Sequence, residues 1–100
     1  MQPISIRHSE EEQTFYAELE QGEGELAYSM PEDEIMDLAH TYVSENMRGQ
    51  GVAEALVQAA VDYARQHGYK IIPTCPYVGL YVKRHANEVK DVLLRAEGLE

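Results

Sequence analysis

The clearest chemistry in the sequence lies in Met47-Arg48-Gly49-Gln50-Gly51-Val52-Ala53. Two glycines flank one polar residue, an arginine stands before them, and a long amphipathic pattern starts just after. The first turn of a helix carries backbone N–H groups with no partner inside the helix, and such groups bind anions. Glycines let that backbone approach a phosphate closely, because no Cβ intervenes. Residues 48–53 are therefore expected to cradle a phosphate or pyrophosphate. The competing reading is a surface turn that introduces a helix. The stretch lacks the Gly-Lys-Ser/Thr ending of a P-loop. It also lacks the further glycine and the distant acid of a dinucleotide fingerprint. A phosphate-nucleotide site of another kind stays open.

Other reactive side chains are sparse. Cys75 is the one cysteine, so no intrachain disulfide forms. It precedes a helical pattern that starts at Pro76, and a helix N-terminus lowers a thiol's pKa. A small buried hydrophobe is the alternative fate of such a residue. His8, His40, His67 and His85 are scattered, with no second ligand at metal spacing, so no metal is expected. His40 and Glu45 are candidate bases by position alone.

The elements that hold these groups are read from periodicity. Residues 3–8, 14–20 and 25–30 alternate apolar and polar and are expected as strands, joined by a polar turn at 9–13 and a glycine turn at 21–24. Pro31-Glu32-Asp33 is expected to break the third strand. Residues 34–43 carry apolar side chains on both faces, which predicts a central strand covered on two sides. Short connections make these strands an antiparallel meander. Val52, Ala53, Leu56, Val57, Ala60, Val61 and Ala64 mark one face of a helix over 51–67, with Gly68 as its stop. That helix is roughly 25 Å long, enough to cross a sheet. Residues 69–75 follow as a strand, parallel to 34–43 by a right-handed crossover. Pro73 predicts that the pairing stops or splays there. Pro76 opens a second helix that ends near Lys83-Arg84-His85. Residues 88–95 read as strand or helix alike.

The chain has 100 residues, 44% hydrophobic and 26% charged, with a formal net charge of −10. This is the composition of one globular domain, expected over residues 1–98, with Leu99-Glu100 set aside as a possible cloning remnant. The negative charge argues against general nucleic-acid binding. It is compatible with a cationic or amine partner, or simply with solubility. No signal-peptide layout and no long apolar run occur, so a cytoplasmic protein with no membrane partner is expected.

Val43 to Val57, with Arg48, Gly51 and Ala53 at its fixed positions, resembles the acyl-CoA-binding segment of the GNAT superfamily of N-acetyltransferases, whose motif is Gln/Arg-x-x-Gly-x-Gly/Ala. Leu80-Tyr81-Val82-Lys83 is similar to the Leu-Tyr-x-Lys of the family's later helix. The resemblance covers about residues 25–85 and implies an α+β fold. It implies a mixed sheet, with an antiparallel meander followed by a strand-loop-helix-strand crossover and a splay between the two parallel strands. It also implies acetyl-CoA as cofactor and an amine as acceptor. Arg48, Gly49, Gln50, Gly51, Val52 and Ala53 would hold the pyrophosphate. The strand edge at Tyr42 and Val43 would pair with the pantetheine amides, and Lys83 or Arg84 would meet the 3′-phosphate. Tyr81 stands where the family often places its general acid. Cys75 would border the acetyl group and can accept it first, and His40 is the candidate base.

Two departures qualify the resemblance. Residues 9–13 leave no room for the helices that usually follow the family's first strand, so the acceptor pocket is expected to be open or completed by another chain. Arg84-His85-Ala86 replaces the usual Gly-Phe ending of the later motif. The sequence looks closest to a small, cut-down branch with a Thr/Ser-Cys-Pro step after the second parallel strand. The expected function is acetyl-CoA-dependent N-acetyl transfer to an amine. A CoA-binding or interaction module without transferase activity is the alternative.

Overall fold

The structure is a computed structural model that describes residues 4–94. Pro3, Arg95 and Leu99-Glu100, which entered the sequence reading, lie outside the described residues. A five-stranded sheet is built in chain order from β1 (Ser5–Ser9), β2 (Thr14–Leu19), β3 (Gly22–Glu32), β4 (Ile35–Val43) and β5 (Lys70–Ile72). The first four strands pair antiparallel and β5 pairs parallel to β4. Helix α1 (Val52–His67) crosses one face of the sheet, followed by α2 (Pro76–Arg84) and a short α3 (Ala86–Val89). This is the mixed α+β architecture expected from the sequence.

Several boundaries differ, each for a local reason. The β2–β3 hairpin turns on Glu20-Gln21, because Leu19 already pairs with Gly22, so the expected glycine turn lies inside β3. Pro31 does not end β3. A register shift between Ser29 and Glu32 absorbs it, and a bulge is a place where a missing N–H is tolerated. Of residues 88–95, the described residues 88–94 are neither pure strand nor pure helix. After α3, Ile71 N–H donates to Val92 O and Leu94 N–H donates to Ile71 O, so the chain adds a parallel bridge beside β5.

The strand at 34–43 is also covered on one face only, which corrects the expectation of two. Tyr28 pairs with Leu38, but Ala27 pairs with His40, so Ala39 is left over as a bulge. A one-residue insertion reverses the side-chain alternation beyond it. Met36 and Leu38 face α1, and beyond the bulge the inward residues are Thr41 and Val43. His40 and Tyr42 point outward and are exposed. The apolar residues on both faces thus reflect a switch of face along the strand.

Helix α1 buries Val52, Leu56, Val57, Ala60, Val61 and Ala64 against the sheet. Full burial of a side chain such as Leu56 contributes about 1.5–3 kcal/mol. Gly24 makes the close approach possible: a Cβ there would lie 2.9 Å from Val52 Cγ1 and 3.2 Å from Leu56 Cδ1. The far end is closed by aromatic packing, with His8 stacked on Phe15 at 4.0 Å and hydrogen-bonded to Tyr28 Oη at 2.7 Å.

Candidate cofactor cleft

Strands β4 and β5 pair only from Ile35–Lys70 to Asp37–Ile72. Pro73 then carries the chain away, and Cys75 N–H reaches back to Leu38 O at 2.9 Å. Beyond this point β4 has no parallel neighbour among the described residues, so the splay anticipated from Pro73 is present. Ser44 N–H donates to Glu23 O at 2.8 Å, which fixes the alternation of the β3–β4 ladder. By that alternation Tyr42 and His40 spend their backbone groups on β3. The backbone groups of Thr41 and Val43 face the gap.

A cleft of about 520 Å³ opens there. Thr41, Tyr42 and Val43 form one wall, the loop and first turn of α1 the second, and Tyr77 and Arg84 of α2 the third. Gly49 and Gly51 have φ of 83° and 81°, the left-handed region that disfavours any residue with a Cβ. Gly51 is the N-cap of α1 and supplies no side-chain cap, so the first N–H groups of the helix are left to a ligand. The macrodipole adds about half a positive charge at the same point. Two of the chain's eight Lys and Arg residues, Arg48 and Arg84, stand on the cleft walls of a protein with net charge −10. Glu54 is the one acid on those walls among the described residues.

The expected cofactor residues are largely brought together. Val43, Arg48, Gly49, Gly51, Val52 and Ala53 all line the cleft. Arg48 also ties the loop to the strand, with Nε donating to Val43 O at 3.0 Å. Gln50 does not line it; its Nε2 donates to Asn46 O at 3.4 Å. Lys83 is displaced as well. Arg84 lies seven residues after Tyr77, two helical turns, and so shares its face, while Lys83 is rotated away.

The expected catalytic residues separate. Cys75 is buried at the N-cap of α2, with its thiol donating to Thr41 Oγ1 at 3.5 Å. Burial pushes the thiol pKa up, but hydrogen bonds from Thr41 and from the backbone N–H groups of Val78 and Tyr77 favour the thiolate, and the net shift is downward. On ionisation the Thr41 hydroxyl becomes the donor. Tyr81 is off the cleft wall: its hydroxyl donates to Gln58 Oε1 of α1 at 2.6 Å and its ring stacks on His85 at 4.2 Å. Burial raises its pKa. His40 lies on the outward face, opposite the helices, because of the bulge. Glu45 starts a single 3-10 turn, Glu45–Met47, and is exposed.

Four wall residues were missed: Thr41, Met47, Glu54 and Tyr77. Tyr77 is the tyrosine of α2 that faces the cleft, and its pKa is raised by burial and by Glu54. Its spacing from Arg84 was the available signal. Glu54 is exposed on the solvent side of α1, yet it sits in the first turn beside the cleft. Thr41 had no signal, since its direction depends on the bulge.

Comparison with known proteins agrees with this geometry. The family description GCN5-related N-acetyl-transferase matches residues 14–92. Protein NATD1 of Gallus gallus is 33% identical over 85 residues, covering 83% of this chain and 77% of that protein. Protein NATD1 of Homo sapiens is 33% identical over 85 residues, covering 83% of this chain and 75% of that protein. The solution structure of a GCN5-like protein from Staphylococcus aureus superposes with a TM-score of 0.71 at 28% identity, covering 98% of this chain and 95% of that one. The chain belongs to the GCN5-related N-acetyltransferase (GNAT) superfamily. That family's general activity is acyl-CoA-dependent N-acetyl transfer.

Proposed function

We propose that this protein binds acetyl-CoA in the cleft and transfers its acetyl group to an amine, in the cytoplasm. The observation that carries the reading is the juxtaposition of left-handed Gly49 and Gly51, the uncapped start of α1 and the unpaired edge of β4 around one cavity. The residues fit the group. The N–H groups of Val52, Ala53 and Glu54, with Arg48, would hold the pyrophosphate. Arg84 would meet a further phosphate. Thr41 O and Val43 N–H present free strand-edge groups to an amide-bearing arm. Bound acetyl-CoA supplies an acyl thioester activated toward an amine.

Tyr77 is positioned to give a proton at the cleft wall, and its raised pKa keeps it protonated near neutrality. Tyr81 acts by packing α2 on α1 through Gln58. A second route is favoured by the polar surroundings of Cys75. Its thiolate attacks the acetyl carbon, the CoA sulfur leaves and takes up a proton, and the acetyl group rests on Cys75 until an amine displaces it. Titrating acetyl-CoA by calorimetry and weighing the protein afterwards tests both routes. Binding with a mass gain of one acetyl group at Cys75 supports the relay. Binding and transfer retained in Cys75→Ala support the direct route. An absence of CoA binding overturns the proposal, and binding without transfer to any of a panel of amines leaves a CoA-binding module.

A further inference from the structure

The sheet face turned away from α1 is bare among the described residues. Arg7, Tyr16, Glu25 and Tyr42 form one cross-strand row over β1 to β4 on this face. Neighbours in such a row lie about 4.5–5.5 Å apart, so Tyr16 and Tyr42 are roughly 10 Å apart with Glu25 between them. The face is acidic: Glu18, Glu23, Glu25 and Asp37 share it against Arg7 and, at the β5 edge, Lys70, whose Nζ donates to Asp91 O at 2.6 Å. Arg7 shows how the row takes a cation. Its guanidinium lies 4.5 Å from the centre of the Tyr16 ring while Nη2 donates to Glu18 Oε2 at 3.2 Å. Tyr42 offers a second ring, 43% exposed, with no cation over it among the described residues.

The row leads to the splay. Tyr42 lines the cofactor cleft and also belongs to this outer row, and His40 is exposed beside it. Asp37 is the last β4 residue paired with β5 on this face, and its Oδ1 is buried without a partner. Buried acceptors in folded proteins are normally satisfied, so this carboxylate favours a donor arriving from outside.

We propose that this face docks a lysine- or arginine-bearing polypeptide segment, laid across β2 to β4 with one cationic side chain over Tyr42 and Glu25 and the next toward the gap beside His40. This rests on the acetyltransferase reading above and names its acceptor as a protein amine. The chemistry is carboxylate and aromatic recognition of cations. A flat open face suits an extended polypeptide better than a small polyamine, which an enclosing pocket would hold.

Amide chemical-shift mapping of the labelled protein with a capped eight-residue Lys/Ala peptide tests the docking, with the Glu/Ala counterpart and spermidine as comparisons. Because the titration is done without CoA, docking is read apart from cofactor binding, which calorimetry on the same sample measures. Shifts concentrated at Tyr16, Glu25, Ala27 and His40, absent with the Glu/Ala peptide and weakened by salt, support the proposal. Glu25→Gln is expected to weaken peptide binding about threefold and Glu25→Lys to abolish it, both with CoA affinity unchanged. Shifts confined to the cleft, equal binding of the Glu/Ala peptide, or equal response to spermidine overturn it. If the peptide docks and CoA does not bind, the docking stands and the cofactor reading falls.

Discussion

The Cys75 thiolate is stabilised by the Thr41 hydroxyl of β4 and by two backbone N–H groups from the first turn of α2. Each favours the thiolate, so the group ionises below the ordinary thiol range. The sign of the linkage follows. Folded protein gains stability from this group as pH rises through its folded pKa toward the ordinary value, and loses that gain as pH falls again. Thr41→Val removes one donor without changing side-chain volume. The midpoint of iodoacetamide reactivity against pH is expected to move upward in that variant, while the circular-dichroism spectrum stays the same. An unmoved midpoint assigns the shift to the helix alone. Arg84 and Lys83 give a second contrast at this scale. Arg84→Ala is expected to weaken CoA binding about tenfold, the value of one charge-assisted contact, and Lys83→Ala less than about twofold. Calorimetry on the two variants checks the order. These residues also show what a sequence can reveal. Arg48, Gly49 and Gly51 were legible because positive φ and exposed N–H groups are tied to residue type and local order. Thr41 was not, because its orientation is decided by a misalignment between two strands.

At the scale of elements, the position of α1 over β3 sets the cleft. Its period of buried residues, its Gly51 start and its Gly68 stop, at φ 72°, were all readable from the sequence. The closeness of its approach was not, since Gly24 read as part of a turn. A methyl group at Gly24 meets Val52, a β-branched residue with little rotamer freedom in a helix. Gly24→Ala is therefore expected to cost about 1–3 kcal/mol of stability, as overpacking does. It is also expected to weaken CoA binding, because Val52 is the first residue of α1 and moves with it. Urea unfolding and calorimetry on one variant measure both. A loss of stability with unchanged affinity would mean that the helix pivots about its first turn.

For the whole molecule, charge works against the cofactor at long range and for it at contact. CoA is an anion approaching a protein of net charge −10, while Arg48, Arg84 and the helix start attract it only inside the cleft. Screening reaches about 10 Å at 0.1 M salt, so the distant repulsion is damped before the contacts are. The association rate for CoA is expected to rise about two- to tenfold between low and physiological salt, measured by stopped-flow quenching. A falling rate would show that the cleft's own field dominates the approach.

The extra residue at Ala39 has a further effect on how this chain is compared with others. It acts as a parity switch: delete it, and Thr41 and Val43 turn to the outer face while His40 and Tyr42 swing under the helices. Composition and length barely change, yet the cysteine's hydroxyl partner and the outward tyrosine trade places. A single misplaced gap between positions 38 and 41 in an alignment would make the same exchange on paper, assigning cofactor contacts to solvent-facing residues.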